Sequence, residues 1–370
     1  MFPLPPLAAA ALIALAALLA TYLPRPPWLV AVFAGARRAP PIGWLLIGVV
    51  LGPLLGVLDG ALLEGLAPVV ACAIGWIAAG AAARLTAPQS PVREPWTARD
   101  VAGLVAAFVL PAALLYGAMR VLPPSAAPVW KPAWPVIAVL STSVALAAAP
   151  RSGAVTALSL LVTAGALLAL FPHARKSDVP PIAMWLGFAL GGTFVCVLVA
   201  ARLGRQPKTR AAATITALCL AAGIGSASGA SPYLVCGLLG LALAKWGPGY
   251  ERLADELAPT ASTVAALLWF AAGALTGNRV PQGLVAAALL ALWPALRRRF
   301  AAAVPASRQT LGLAVALSYA LTAERTLGPV ERSALVTAAA LALLLTSFVP
   351  ARNTVSAPLT SPTPMPEVTA

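Results

Sequence analysis

Charge is what this sequence has least of. Asp, Glu, Lys and Arg together make up 10% of its 370 residues, where a soluble domain carries about a quarter. Hydrophobic residues fill 60% of the chain, and the mean hydropathy is +0.89. A water-soluble fold has no interior large enough for that much apolar surface, so the bilayer must act as the solvent. The expectation is an all-α integral membrane protein with many spans. Ala and Leu are so abundant that no single alanine carries an argument.

Other absences narrow the function. There is no GxxxxGK[ST] phosphate loop, which excludes an ATP-driven pump of that kind. Histidine occurs once, at His173 in the loop FPHARKSDVP, and a histidine in such a loop is ordinarily solvated. The four cysteines, Cys72, Cys196, Cys219 and Cys236, all fall in apolar segments with no CxxC pair. They read as small packing residues, with neither a metal site nor a disulfide framework indicated, and no cofactor is called for. Acids number 11 against 25 Lys and Arg, giving a net charge of +14. These bases are not gathered into one run. They fall in short groups between apolar segments, where topology signals belong, and this argues against nucleic acid as a partner.

A window of about 19 residues divides the chain into apolar runs separated by Pro, Gly and charge. Spans are expected near 7–23, 42–58, 66–83, 101–121, 133–149, 152–171 and 180–203, then near 210–226, 230–246, 258–276, 280–296, 308–323 and 333–350, thirteen in all. The run WLVAVFAGA, 28–36, is too short to cross alone and reads as re-entrant or interfacial. With no basic residue ahead of its apolar core, the N-terminal run reads as a retained span rather than a cleaved signal. Placing the N-terminus outside puts 18 of the 25 basic residues in inside loops and leaves 7 outside. That asymmetry favours N-out and C-in. The transmembrane domain covers 1–350, with a Pro-rich loop at 88–98, and the Pro/Ser/Thr-rich tail 351–370 reads as disordered. The inside loop 247–259 is amphipathic enough for an interfacial helix.

A faint internal repeat is present. Pro40 is followed by Gly48, and Pro232 by Gly240, each eight residues on and each entering an apolar span. Related segments in two halves are what transporter folds built from structural repeats leave behind.

At these residues the chain resembles the cation:proton antiporter superfamily, the sodium/proton exchanger-like membrane domain. PPIGWLLIGVVLGP, 40–53, is similar to that family's entry span. Leu140-Ser141-Thr142-Ser143-Val144 resembles the Ser/Thr-rich break of a core helix. GIGSASGASPYLVCGLLGLALA, 223–244, and LLWFAAGALTG, 267–277, resemble two second-half spans, and the four matches come in family order. The resemblance implies two inverted five-helix repeats with crossing broken helices. The first break would lie at Ser141, Thr142 and Ser143, the second in 258–276 near Trp269 to Gly273. It also implies a homodimer, for which the small residues of 7–23 offer one interface, and a monovalent cation and a proton as partners.

Exchange of a cation for a proton needs a group that binds either one, and a midplane carboxylate does so. Setting the family's acidic pattern on Ala157 to Thr163 keeps Ser159-Leu160-Leu161 but lands its Asn-Asp pair on Val162 and Thr163. All 11 acids map to loops, span ends or the tail, with Asp59 and Glu64 the nearest substitutes in the expected outside loop VLDGALLEG. The carboxylate motif is thus degenerate. Ser159 and Thr163 then have two roles open to them. They bond carbonyls within their own helix, or they join Ser141, Thr142 and Ser143 in lining an ion or solute path. The run Gly225 to Gly229 resembles an intramembrane serine-protease motif, but no base accompanies it. It reads better as a flexible turn, and no enzyme is expected. The two functions left are a secondary transporter of the antiporter type and a non-transporting relative that acts as a sensor or membrane-complex partner.

Overall fold

The computed structural model describes residues 42–56, 58, 60–86, 182–276, 306–322 and 329–347. The spans expected at 7–23, 101–121, 133–149, 152–171 and 280–296 lie outside the described residues, as do the run 28–36, the loop 88–98 and the tail. Among the described residues there is no strand.

Helix α1, Ile42–Val49, widens into a π-helical turn at Val50–Leu54 that contains Pro53. Proline has no N–H to give to the ladder, and here the chain takes up an i→i−5 bond instead, Leu55 N to Val50 O at 2.9 Å. Helix α2 is Gly60–Ala83 and α3 is Ile182–Leu203. Helix α4, Pro207–Ser228, opens on a proline and stops at Gly229, whose φ of 71° is the left-handed conformation that glycine adopts freely. Helix α5, Pro232–Trp246, begins after Ser231. A short α6, Leu253–Leu257, leads to α7, Ala261–Leu275. Helices α8, Ala306–Thr322, and α9, Pro329–Ser347, complete the described set.

Among the described residues, three segments are long and apolar enough to cross a membrane: Glu64–Ala83, Leu186–Leu203 and Lys208–Ser228. The apolar helices α5 and α7 have 15 residues each, about 22 Å at the usual helical rise. Helix α8 is the centre of the bundle, with every residue from Thr310 to Ala320 buried. A helix buried on all sides belongs to a core. Helix α3 is the opposite case. Its Phe194 is 63% and its Leu190 59% exposed, an apolar outer surface suited to lipid rather than to water.

Two helix pairs approach to backbone contact. On α1, a Cβ added to Gly48 would lie 2.8 Å from Ala274 N, and one on Gly52 would lie 2.8 Å from Ala274 O. In return, a Cβ on Gly273 would meet Val49 N at 3.0 Å. The second pair is α5 with α2, where a Cβ on Gly240 would lie 2.6 Å from Ala79 Cα and one on Gly75 would lie 3.1 Å from Cys236 Cβ. Both pairs run parallel: the step from Gly48 to Gly52 follows Phe270 to Ala274, and Gly75 to Ala79 follows Cys236 to Gly240. Small residues at such crossings let dispersion contacts replace the hydrophobic drive that lipid cannot supply.

Three expectations are corrected. Helix α7 runs unbroken through Trp269–Gly273, where a break was expected. It contains no proline, and its one glycine, Gly273, is used in packing against α1. The described departure from α-helical geometry is in α1, at Pro53. Gly225 to Gly229 is not a flexible turn, because α4 continues to Ser228 and a Cβ on the buried Gly225 would meet Pro232 Cα at 2.8 Å. Glu64 sits on α2 rather than in a loop, and its side chain is exposed. In the amphipathic loop only α6 is helical. Leu253 and Leu257 are buried against the bundle, Asp255 and Glu256 are exposed, and Trp76 Nε1 donates to Leu257 O at 3.4 Å.

Candidate functional site

Ser141, Thr142, Ser143, Ser159, Val162 and Thr163 lie outside the described residues, as do Asp59 and His173. The acids whose side chains are described, Glu64, Glu251, Asp255 and Glu256, are all exposed. The buried polar groups that the structure does bring together are uncharged, and they sit on α5, α7, α8 and α9.

The first group forms where α4 turns into α5. Two residues with positive φ make that reversal, Gly229 at 71° and Ser231 at 67°. A side chain at such a φ costs about 1–2 kcal/mol, and the serine hydroxyl offsets it. Ser231 Oγ accepts the Leu234 N–H at 3.4 Å and shares a 2.7 Å hydrogen bond with Ser318 Oγ of α8. Ser318 Oγ also accepts the Tyr233 N–H at 3.3 Å. Both serines are fully buried. A hydroxyl of the central helix therefore caps α5, satisfying donors that a helix N-terminus leaves open.

The second group lies toward the same end of the bundle, where α7 finishes. The Thr276 carbonyl, just past α7, accepts from Ser333 Oγ and from Thr337 Oγ1, the latter at 3.1 Å. Thr276 Oγ1 turns back to Gly273 O at 2.7 Å. Carbonyls left over at the end of α7 thus find hydroxyl donors on α9. Near these groups in the sequence, Trp269 Nε1 and Tyr319 Oη are buried without a hydrogen-bond partner. Unsatisfied donors of this kind are uncommon in native cores. Besides these hydroxyl, indole and phenol groups, the half-buried Arg210 and Arg332 each have a buried Nε.

Sequence reasoning gave no role to the hydroxyls of Ser231, Thr276, Ser318, Ser333 and Thr337. Ser231 carried a usable signal, since Ser-Pro ahead of an apolar run is a helix start with its cap. Ser318 carried none, because its role exists only once α8 lies against α5. A further likeness also emerges from the packing. Trp76-Ile77-Ala78-Ala79-Gly80-Ala81 in α2 and Trp269-Phe270-Ala271-Ala272-Gly273-Ala274 in α7 agree at five of six positions. These are the segments against which Gly240 and Gly48 pack.

At the end where α3 joins α4 and α5 leads to α6, the loop is pinned by Tyr250. Its Oη donates to Ala200 O at 3.0 Å, and Arg210 lies over its ring at 5.9 Å. Burial pushes the Tyr250 phenol above its ordinary value, with Thr214 and Arg210 opposing. The unfolded chain loses this proton near pH 10, while the folded chain keeps it. The resulting stability is full below about pH 10 and is lost as pH rises through the folded value. Tyr250→Phe is expected to cost about 1 kcal/mol at neutral pH through the lost bond to Ala200, and to flatten the alkaline decline. Thermal melts near neutrality and above pH 10 read both effects; an unchanged alkaline slope would count against the buried phenol.

No family model matches the chain, and no curated protein matches it.

Proposed function

We propose that the chain is a multi-pass secondary transporter of the cation:proton antiporter type, exchanging a monovalent cation for a proton, built as two inverted repeats. The observation that carries this reading is the reciprocal pairing of α1 with α7 and of α5 with α2. Exchanging α1 with α5 and α2 with α7 turns one pair into the other. The sequence supports the same exchange twice, through the Pro-to-Gly entry spacing of α1 and α5 and the shared Trp-to-Ala run of α2 and α7. Spacing agrees too: Trp76 follows Gly48 by 28 residues, and Trp269 follows Gly240 by 29. Direction supports inversion. Gly80 packs on Leu257, so α7 starts at the end where α2 and α5 finish, and it runs against both. A pair of helices related to its partner pair with direction reversed is the arrangement of inverted-repeat transporters, whose substrate sites lie at the repeat interface.

The protein sits, on this reading, in a bacterial inner membrane as a homodimer, N-terminus outside and C-terminus cytoplasmic. Arg84, Arg202, Arg205, Lys208, Arg210, Lys245 and Arg252 fall at one end of the described bundle, which supports that end as cytoplasmic. A second reading has its own support. The exposed acids and the unbroken α7 favour a protein that kept the antiporter fold and acts as a sensor or complex partner.

Proton flux in everted vesicles, from a host lacking its own antiporters, separates the two. Sodium, lithium or potassium would be added across about pH 6 to 9 while a pH-sensitive dye is followed. Cation-dependent proton release at least several-fold above empty vesicles is the result expected of the transporter. No response from folded, inserted protein would leave the second reading.

A further inference from the structure

The basic residues at the end of the bundle where α3 finishes fall into two sets. Some are engaged within the protein. Arg210 lies over the Tyr250 ring at 5.9 Å and packs against Gly249, where an added Cβ would lie 2.5 Å from its Nη2. Lys245 Nζ lies over the Trp246 ring at 5.2 Å. Arg202, Arg205 and Lys208 are different. All three are exposed, and among the described residues none has an ion-pair partner. The turn that carries them is held closed, with the Gly204 N–H donating to Ala200 O at 2.8 Å and Thr209 Oγ1 donating to Leu203 O at 2.6 Å. Like charges gathered in one turn repel each other, and a bound anion would offset that cost.

What lies beneath these cations decides the kind of anion. On α3, Leu190, Phe194, Leu198 and Arg202 are spaced by four residues and so share one ridge of the helix. All four are exposed, while Ala189, Thr193, Cys196 and Ala200 on the other side are buried. An apolar ridge therefore runs into a guanidinium, with two further cations just past it. From Leu190 to Arg202 the ridge rises about 18 Å, which is close to one leaflet, half of a hydrocarbon core about 30 Å thick. Topology asks for positive charge at this end, and the C-terminus of α3 favours Arg202. Neither asks for a cation in register with a bare apolar ridge. A free phosphate ion would use the cations and leave the ridge idle, whereas a phospholipid uses both.

We propose that the α3–α4 turn holds the phosphate of an anionic glycerophospholipid on Arg202, Arg205 and Lys208, with an acyl chain lying along Leu198, Phe194 and Leu190. Each arginine can present two parallel N–H donors to phosphate oxygens, and Lys208 adds a point charge. Basic sites at the membrane surface between helices recognise lipid headgroups in this way. The site needs only a bilayer around α3 and does not depend on transport.

The test uses the full-length chain purified in a neutral detergent and mixed with phosphatidylglycerol or phosphatidylcholine of the same acyl chains. Bound lipid is counted by native mass spectrometry, and the melting temperature is read alongside. Phosphatidylglycerol is expected to bind several-fold more tightly than phosphatidylcholine and to raise the melting temperature. The triple variant Arg202→Gln, Arg205→Gln, Lys208→Gln should lose roughly tenfold or more in affinity for phosphatidylglycerol. A charge-matched triple variant, Arg84→Gln, Lys245→Gln, Arg252→Gln, should keep it. Phe194→Ala with Leu198→Ala should weaken binding while every charge remains. All of these positions are exposed, so the fold does not hang on them. Equal loss in the two triple variants would overturn the proposal, as would equal binding of the two lipids. So would an unchanged affinity in the ridge variant, or displacement of the lipid by inorganic phosphate at the same concentration, which would mark a site for the anion alone.

Discussion

Gly240→Val is expected to remove most of the monodisperse protein recovered in mild detergent, the largest loss among single substitutions in the described helices. The added Cβ would lie 2.6 Å from Ala79 Cα and 2.9 Å from Ala79 C, so the obstacle is the backbone of α2 rather than a side chain able to turn away. Overpacking a core costs about 1–3 kcal/mol when side chains absorb it, and here α2 and α5 must move apart instead. Against a total stability of about 5–15 kcal/mol, that loss is large enough to see in a thermal melt and in recovery on size exclusion. Gly48→Val should do comparable damage, since its added carbon would meet Ala274 N and Gly273 Cα of α7 at 2.8 and 3.0 Å. Gly223→Ala is the contrast. Nothing lies within 4 Å of a Cβ at Gly223, which is exposed on α4, so replacing a mid-helix glycine should add about 0.5–1 kcal/mol. Equal recovery of Gly240→Val and Gly223→Ala would mean that α2 and α5 do not meet as described.

The contrast among these glycines marks how far the sequence could be read. Span positions were legible because the membrane imposes them: the runs expected at 66–83, 180–203, 210–226 and 230–246 became α2, α3, α4 and α5 with ends moved by a few residues. The Pro-to-Gly repeat was legible as spacing, and Gly48 and Gly240 prove to be contact points. Their partners were not legible. Nothing in the composition of 75–81 or 268–274 says that the first packs on α5 and the second on α1, because that is a property of tertiary packing. The shared Trp-to-Ala run becomes meaningful only once Gly240 is seen against Ala79 and Gly48 against Ala274.

The expected break in α7 failed for a related reason. The resemblance placed it by analogy at Trp269 to Gly273, whereas local chemistry there is Trp, Phe, two Ala and one glycine, without a proline, all compatible with a continuous helix. Proline, the residue that removes a ladder donor, stands at 53, and the described irregularity is there. The buried hydroxyls are the hardest case. A serine at φ 67° is unreadable from the sequence, and its partner on α8 lies 87 residues away.

That serine carries the second large expected effect. Ser231→Ala keeps the Cβ at positive φ but removes the acceptor for Leu234 N and the partner of Ser318, both in a fully buried site. The loss of a cap costs about 0.5–2 kcal/mol, and a buried hydroxyl left without its partner adds about 1–3 kcal/mol. Ser231→Gly loses the same bonds but relieves the strained φ, a gain of about 1 kcal/mol, so glycine should be the milder substitution. The order matters more than either value. If backbone strain at Ser231 is real, alanine destabilises more than glycine, the reverse of the usual ranking inside a helix. Ser318→Ala should cost less once Ser231 is already alanine, because the shared 2.7 Å bond is then gone and only the bond from the Tyr233 N–H is lost. Melting temperatures of the two single variants and the double variant read this coupling directly. Strict additivity would mean that α8 does not cap α5 through this pair.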